Sequence, residues 1–216
     1  KPSKEWQNQL KISYRELNES FKENNFKKFQ LFLNNFGVHD RYLGIENQVF
    51  LKEYSKNIFL KNYLKNTVFT NQMKLWNFHN SGKKSSKSLR TPKFGNQVGA
   101  KIDNNFVTLS SFSNEIISSN LEELLNFNNK KLRVVELGGG YGQFAYHLLK
   151  KRKNFLYIDF DIPEVLCLAS YYLIKTFPQK KTLLYGEKNF SIKKSKNYNF
   201  IFLPYFEISK LKKNSV

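Results

Sequence analysis

The sequence predicts an α/β protein in which a mainly helical region, residues 1–130, precedes a parallel sheet flanked by helices, residues 131–216. Three observations predict it. Before residue 80, apolar residues recur at helical spacing. After residue 131, short apolar runs alternate with helical patterns, the order that builds a parallel sheet with right-handed crossovers. Between the first of those runs and its helix stands "ELGGGYG", residues 136–142, which holds too much glycine for a helix.

Each element follows from its local pattern. "WQNQLKISYRELNESFKEN" repeats apolar residues at Trp6, Leu10, Tyr14, Leu17 and Phe21, which predicts one amphipathic helix. "NFKKFQLFLNNFG" predicts a second helix, with Gly37 as its C-cap. "EYSKNIFLKNYLKNTVFTNQMKLWNF" predicts a third, and the aromatic density of the region reads as helix-packing core. Residues 80–97 are small, polar and basic, hence a loop or mobile connection. Two β-like runs around Asp103-Asn104-Asn105 predict a hairpin or strand-like arm near residues 98–110. "SNEIISSNLEELLNF" predicts a helix that Ser113 or Asn114 caps. "LRVVEL", "NFLYIDF", "KTLLYG" and "YNFIFLPYF" then predict four strands. "GQFAYHLLKKR" and "PEVLCLASYYLIKTF" predict the helices between them, with Pro163 at a helix start.

Composition narrows the class. Forty per cent apolar residues, with 21 Phe and 12 Tyr, place the chain among globular proteins. No apolar run reaches the roughly 20 residues of a membrane-spanning helix, and the N-terminus lacks the apolar core of a secretory signal. Cys167 is the only cysteine, which excludes a disulfide framework and a cysteine metal cluster. A cytoplasmic protein is the expectation. Net charge is +19, yet only five of the 36 basic residues are Arg, the residue that phosphate and guanine recognition favours. A solvated Lys-rich surface is therefore the expected reading, and nucleic acid is not the expected partner.

The glycine turn carries the chemistry. Its order is strand, Glu136, Gly138, Gly139, Gly140, Gly142, helix. Glycines let backbone turn sharply and approach a ligand closely, at the strand ends where ligands of open α/β sheets bind. A dinucleotide site would read G-x-G-x-x-G, with no acid ahead of it. A carboxylate there suits a cationic ligand instead, and S-adenosylmethionine, with an ammonium and a sulfonium, is one. The second strand ends "YIDFDIPEV", so that Asp161, preferred over Asp159, can accept hydrogen bonds from ribose hydroxyls. After the third strand Glu187, in "LLYGEKNF", can reach an adenine amino group.

"VVELGGGYGQFAYHLL" followed by "IDFDIPEVLCLASYYL" resembles the class I S-adenosylmethionine-dependent methyltransferases, and within them the sugar O-methyltransferases. The specific similarity covers roughly residues 133–175. It implies a Rossmann-like methyltransferase sheet, S-adenosylmethionine as cofactor and a saccharide, free or linked to a nucleotide or lipid, as acceptor. It places cofactor contacts at Glu136, Gly138, Gly140 and Asp161, with Gly139, Gly142 and Glu187 beside them. Two departures stand out. Only about four strands follow residue 131, so that the expectation is a shortened chain or a sheet completed by a partner or oligomer. Asn199 stands where many relatives open the fourth strand with an acid.

Methyl transfer to a sugar hydroxyl needs a positioned acceptor and a base. Glu207, at the end of the fourth strand, is the first candidate base, followed by His79 and His39. His147 reads as structural, and no metal is expected because the acids are too scattered. Two alternatives remain. "FLPYF" partly matches the Asn/Asp-Pro-Pro-Tyr of amino-methyltransferases acting on nucleic acids, but Phe202 and Leu203 replace the polar residue and first proline. A shortened, non-catalytic S-adenosylmethionine-binding or interaction protein is the other.

Overall fold

Residues 4–38, 58–125, 132–188 and 194–211 are described by the structure, a computed structural model. The chain divides into two compact units, Lys1–Ile116 and Ile117–Val216. The division falls within a helix rather than at residue 130.

In the first unit the stretch predicted as one helix is two, α1 (Lys4–Ser13) and α2 (Arg15–Lys22). The break is at Tyr14, which leaves helical dihedrals at φ −111° and ψ 23°. Tyr14 is fully buried with its ring against Phe32, so that packing sets the bend. Helix α3 (Phe26–Asn35) starts on Asn25, whose side chain accepts the Lys28 N–H. Gly37 does not act as the left-handed cap predicted for it. It sits in a 3₁₀ turn and donates its N–H to the Gly95 carbonyl at 2.7 Å. A Cβ there would lie 2.6 Å from the Gln97 backbone, so close chain approach is what requires glycine.

Helix α4 (Ile58–His79) carries Phe69 and Trp76 into a core with Leu89, Val107 and Phe112. Leu89 belongs to the predicted loop, which is therefore packed through a 3₁₀ turn at Ser86–Leu89. The hairpin is as predicted: β1 (Ala100–Ile102) pairs antiparallel with β2 (Asn105–Val107). Asp103 and Asn104 form its two-residue turn with φ of 44° and 64°, left-handed values that Asp and Asn tolerate. Helix α5 (Leu109–Leu125) starts earlier than predicted, leaving Ser113 and Asn114 inside it. Thr108 and Ser111 close that start, since the Thr108 N–H donates to Ser111 Oγ and the Ser111 N–H to the Thr108 carbonyl.

The second unit is the predicted α/β half. Strands β3 (Leu132–Leu137), β4 (Phe155–Asp161), β5 (Thr182–Leu184) and β6 (Phe200–Pro204) form one parallel sheet, with α6 (Gln143–Leu149) and α7 (Pro163–Thr176) between strands. Alternation sends Leu156, Ile158, Phe160, Ile201 and Leu203 into one apolar core. Phe155, Tyr157, Phe200 and Phe202 take the opposite face, in ring contact with one another and with Phe177. Both faces are buried, as parallel sheets demand.

Strand order is β3-β4-β6-β5. In a doubly wound Rossmann sheet the first strand lies inside, between the second and fourth. Here β3 is at an edge among the described residues, and β4 takes the inner place. Among the described residues no helix is long and apolar enough to cross a membrane.

Asn199 has a structural reason to be an amide. Its side chain donates to the Phe155 carbonyl at 3.1 Å and accepts the Lys181 N–H at 3.2 Å. Its backbone donates to the Lys181 carbonyl and accepts the Tyr157 N–H. One residue thus ties the starts of three strands. Asn199→Asp keeps the shape but sets a carboxylate against the Phe155 carbonyl, and urea unfolding is expected to register a loss of about 1–3 kcal/mol. An unchanged midpoint would remove Asn199 from this role.

Candidate functional site

Of the residues predicted to hold a ligand, Glu136, the glycine turn and Asp161 meet at the carboxyl ends of β3 and β4, while Glu187 follows β5 at the opposite edge of the sheet. Register sets Glu136 directly beside Asp159. Because side chains alternate, Tyr157, Asp159 and Asp161 share one face of β4, and Glu136 is on that face of β3. The Tyr157 hydroxyl donates a hydrogen bond to Glu136 Oε2. Asp161 Oδ1 accepts the Ile162 N–H at 2.7 Å and Oδ2 accepts the Gly140 N–H at 3.2 Å. Asp161 therefore latches the glycine turn to the end of β4.

The turn itself follows from these neighbours. Gly138, Gly140 and Gly142 have φ of 79°, 59° and 88°, where other residues are strained. Gly139 is different. A Cβ on it would lie 2.9 Å from both Asp159 carboxylate oxygens and from the Tyr157 hydroxyl. Its lack of a side chain is what lets the turn close over the acids.

Asp159 is the residue that sequence reasoning ranked second and the structure makes conspicuous. It is 0% exposed, and neither carboxylate oxygen has a well-formed hydrogen bond. Its carboxyl is pushed up to about 8, first by burial, then by the charges of Asp161 and Glu136, against a smaller opposing effect of the Gly139 N–H. Burial also raises Glu136, with the Tyr157 hydrogen bond pulling the other way and Asp161 adding to the rise. Asp161 is raised by burial, opposed by its amide bonds to Ile162 and Gly140. Burial, with Asp159 and Glu136 beside it, holds Tyr157 well above its ordinary value and keeps it a donor. The signal for Asp159 was present in the alternation Tyr157-x-Asp159-x-Asp161.

Further along the same sheet edge, a pocket of about 460 Å³ opens at the ends of β5 and β6. Tyr185, Gly186, Glu187, Lys188, Leu203, Glu207 and Lys210 line it, so two sequence candidates, Glu187 and Glu207, meet there. Glu187 Oε2 accepts the Leu184 N–H at 2.9 Å and closes its turn. Glu207 is only 12% exposed and makes a close ion pair with Lys210. Tyr185 and Phe206 meet edge to face, both half exposed.

His79 is the exposed last residue of α4, in the other unit, with its ring against Phe78. His39 lies outside the described residues. His147 is buried in α6 and pushed well below its ordinary value, first by burial and then by Lys150 and Lys151. Among the described residues no group of His, Cys, Asp and Glu could hold a metal ion. No family model, curated protein or solved structure matches the chain.

Two outcomes follow. Asp159 titrates at 3.8 ordinarily and about 8 when folded, so the folded state favours its protonated form. That contribution is complete below 3.8 and is lost as pH rises through about 8. His147, lowered in the folded state, opposes the trend, but above 6.5 less than half of the unfolded imidazole is protonated, so its effect is the smaller and fades as pH rises. Thermal unfolding between pH 6.5 and 8 is expected to show stability falling with pH; a flat profile would contradict it. Gly139→Ala drives a methyl into the acids and is expected to destabilise the protein by about 1–3 kcal/mol in urea unfolding.

Proposed function

We propose that the unit Ile117–Val216 binds S-adenosylmethionine at the carboxylate cluster and that the protein O-methylates a sugar hydroxyl in glycan or polysaccharide assembly. The observation that carries this reading is Glu136. One of its oxygens is fixed by Tyr157, the other is free for a donor, and among the described residues no Lys, Arg or His pairs with Glu136, Asp159 or Asp161. A cluster of acids without an internal cation suits a cationic ligand.

The residues fit that cofactor. Glu136 would hold its ammonium, and the glycine turn would let its chain approach the backbone. Asp161, half buried, keeps lone pairs for ribose hydroxyls while latching Gly140. Strand spacing of about 4.8 Å sets β3 and β5 about 14 Å apart across three spacings, with Glu136 near the end of β3 and Glu187 in the turn after β5. A ligand that reaches both must be extended, as a nucleoside joined to an amino acid is. When bound, S-adenosylmethionine supplies an electrophilic methyl group.

The acceptor side of the reading is the pocket at β5 and β6. Half-exposed aromatic rings beside the Glu207 carboxylate suit a sugar, whose ring stacks on Tyr185 or Phe206 and whose hydroxyl donates to Glu207. Glu207 is the group that would take the proton, with Lys210 orienting it. The choice of a sugar otherwise rests on the resemblance of residues 133–175. The nucleic-acid alternative loses support, since Phe202 and Leu203 are buried in the sheet and leave no polar group to hold an exocyclic amine. A non-catalytic binding protein is favoured by one observation, the Glu207–Lys210 pair, which occupies the candidate base.

Calorimetric titration with S-adenosylmethionine tests the reading. Binding is expected, weakened about 10- to 100-fold in Glu136→Gln through loss of a charge-assisted contact of about 1.5–3 kcal/mol. Radiolabelled methyl transfer to nucleotide-linked sugars is expected to disappear in Glu207→Gln while binding persists. Absence of binding at millimolar ligand sinks the cofactor assignment; binding without transfer to any glycan supports the non-catalytic protein.

A further inference from the structure

Asp159 has no task in the proposed chemistry, yet it is the most deeply buried acid among the described residues. It is closed off from solvent beneath Gly139 and lacks a well-formed hydrogen bond. Glu136 is its register neighbour on β3, Asp161 lies two residues along its own strand, and Tyr157 two residues back. On its other side β6 presents Phe202, which brings no charge or donor. Three carboxylates with no internal cation cannot all be ionised cheaply in one half-buried place. Of the three, Glu136 has Tyr157 as donor and Asp161 has two amides. Asp159 has neither.

We propose that Asp159 is a proton-holding positioning residue of the carboxylate seat, which keeps its proton while Glu136 lacks a cationic partner and releases it when a cation docks against Glu136. In that step the Asp159 O–H bond breaks, the proton leaves for solvent, and the electron pair stays on the carboxylate beside the incoming positive charge. The folded carboxyl value of about 8 agrees with a residue that is mainly protonated at neutral pH. Asp159 acts through Glu136 and the turn, because Gly139 stands between it and any ligand above. The consequence is a seat whose affinity for a cation depends on pH without Asp159 touching it. Above pH 8 the proton is already gone, and the cation meets a more negative seat.

The inference rests on the reading of the cluster as a seat for a cationic cofactor, and its test separates the two. S-adenosylmethionine is titrated into the full chain at pH 7 in two buffers of different ionisation enthalpy, which counts protons released per ligand bound. Wild type is expected to release close to one proton at pH 7 and almost none at pH 9. Asp159→Asn is expected to bind with its release at pH 7 cut to near zero. Release unchanged by Asp159→Asn, or no release from a wild type that binds, overturns the proposal. Should S-adenosylmethionine not bind at all, the cofactor reading fails, and the proton is examined without ligand. The thermal midpoint of Asp159→Asn minus that of wild type is then expected to grow between pH 6.5 and 8. A difference independent of pH in that range refutes a held proton on Asp159, and a growing one retains it. Asp161→Asn serves as the comparison variant: it removes one of the charges that raise Asp159, so a smaller pH-dependent difference is expected there, and one as large as that of Asp159→Asn would overturn the assignment to Asp159.

Discussion

The register that sets Glu136 beside Asp159 is the constraint on which the carboxyl end of the sheet depends. Parallel pairing puts same-face side chains of neighbouring strands about 5 Å apart, and period two adds Tyr157 and Asp161 to that face. Two acids at that distance repel unless something separates, protonates or neutralises them. The chain supplies a different answer to each. Tyr157 donates to Glu136, backbone amides solvate Asp161, and Asp159 is left to be neutral.

That arrangement in turn dictates the glycines. A turn that must pass over Tyr157 and Asp159 at van der Waals distance has no room for a side chain at 139. A turn that must also offer the Gly140 N–H to Asp161 has to reverse twice, which the left-handed values at 138, 140 and 142 accomplish. The glycine-rich sequence is thus the complement of the acids below it as much as a platform for anything above it. Slipping β3 by one residue would turn Glu136 to the opposite, apolar face and remove both reasons for the turn.

Much of this was legible in the sequence, for a definite physical reason. Strands buried on both faces read as short continuous apolar runs, so all four strands and both intervening helices were placed. The hairpin was legible from Asp103-Asn104, residues that accept left-handed dihedrals. What escaped depends on partners distant in sequence. Tyr14 breaks its helix because Phe32 packs against it, Gly37 is a glycine because of Gln97, and Asn199 is an amide because Phe155 and Lys181 need opposite halves of it. The place of Asp161 before Pro163 is a local cue, and it marks the latch of the turn. The orphaned acid needed knowledge of what lies opposite it on β3 and β6.

Strand order is the least local property of all, and it changes how the site works. With β3 at an edge, the glycine turn is flanked by one paired strand, β4, and the acids of β4 lie on the inner side of the turn. The described sheet continues from Glu136 only toward β6 and β5, where the pocket opens. Charge acts along the same line. The chain carries +19 overall, a field that favours anionic ligands at a distance but is screened beyond about 8–10 Å in physiological salt. Within that distance the acids of β3 and β4, which no Lys, Arg or His pairs among the described residues, form a local exception to the sign of the whole chain. The proton on Asp159 sets how strong that local exception is.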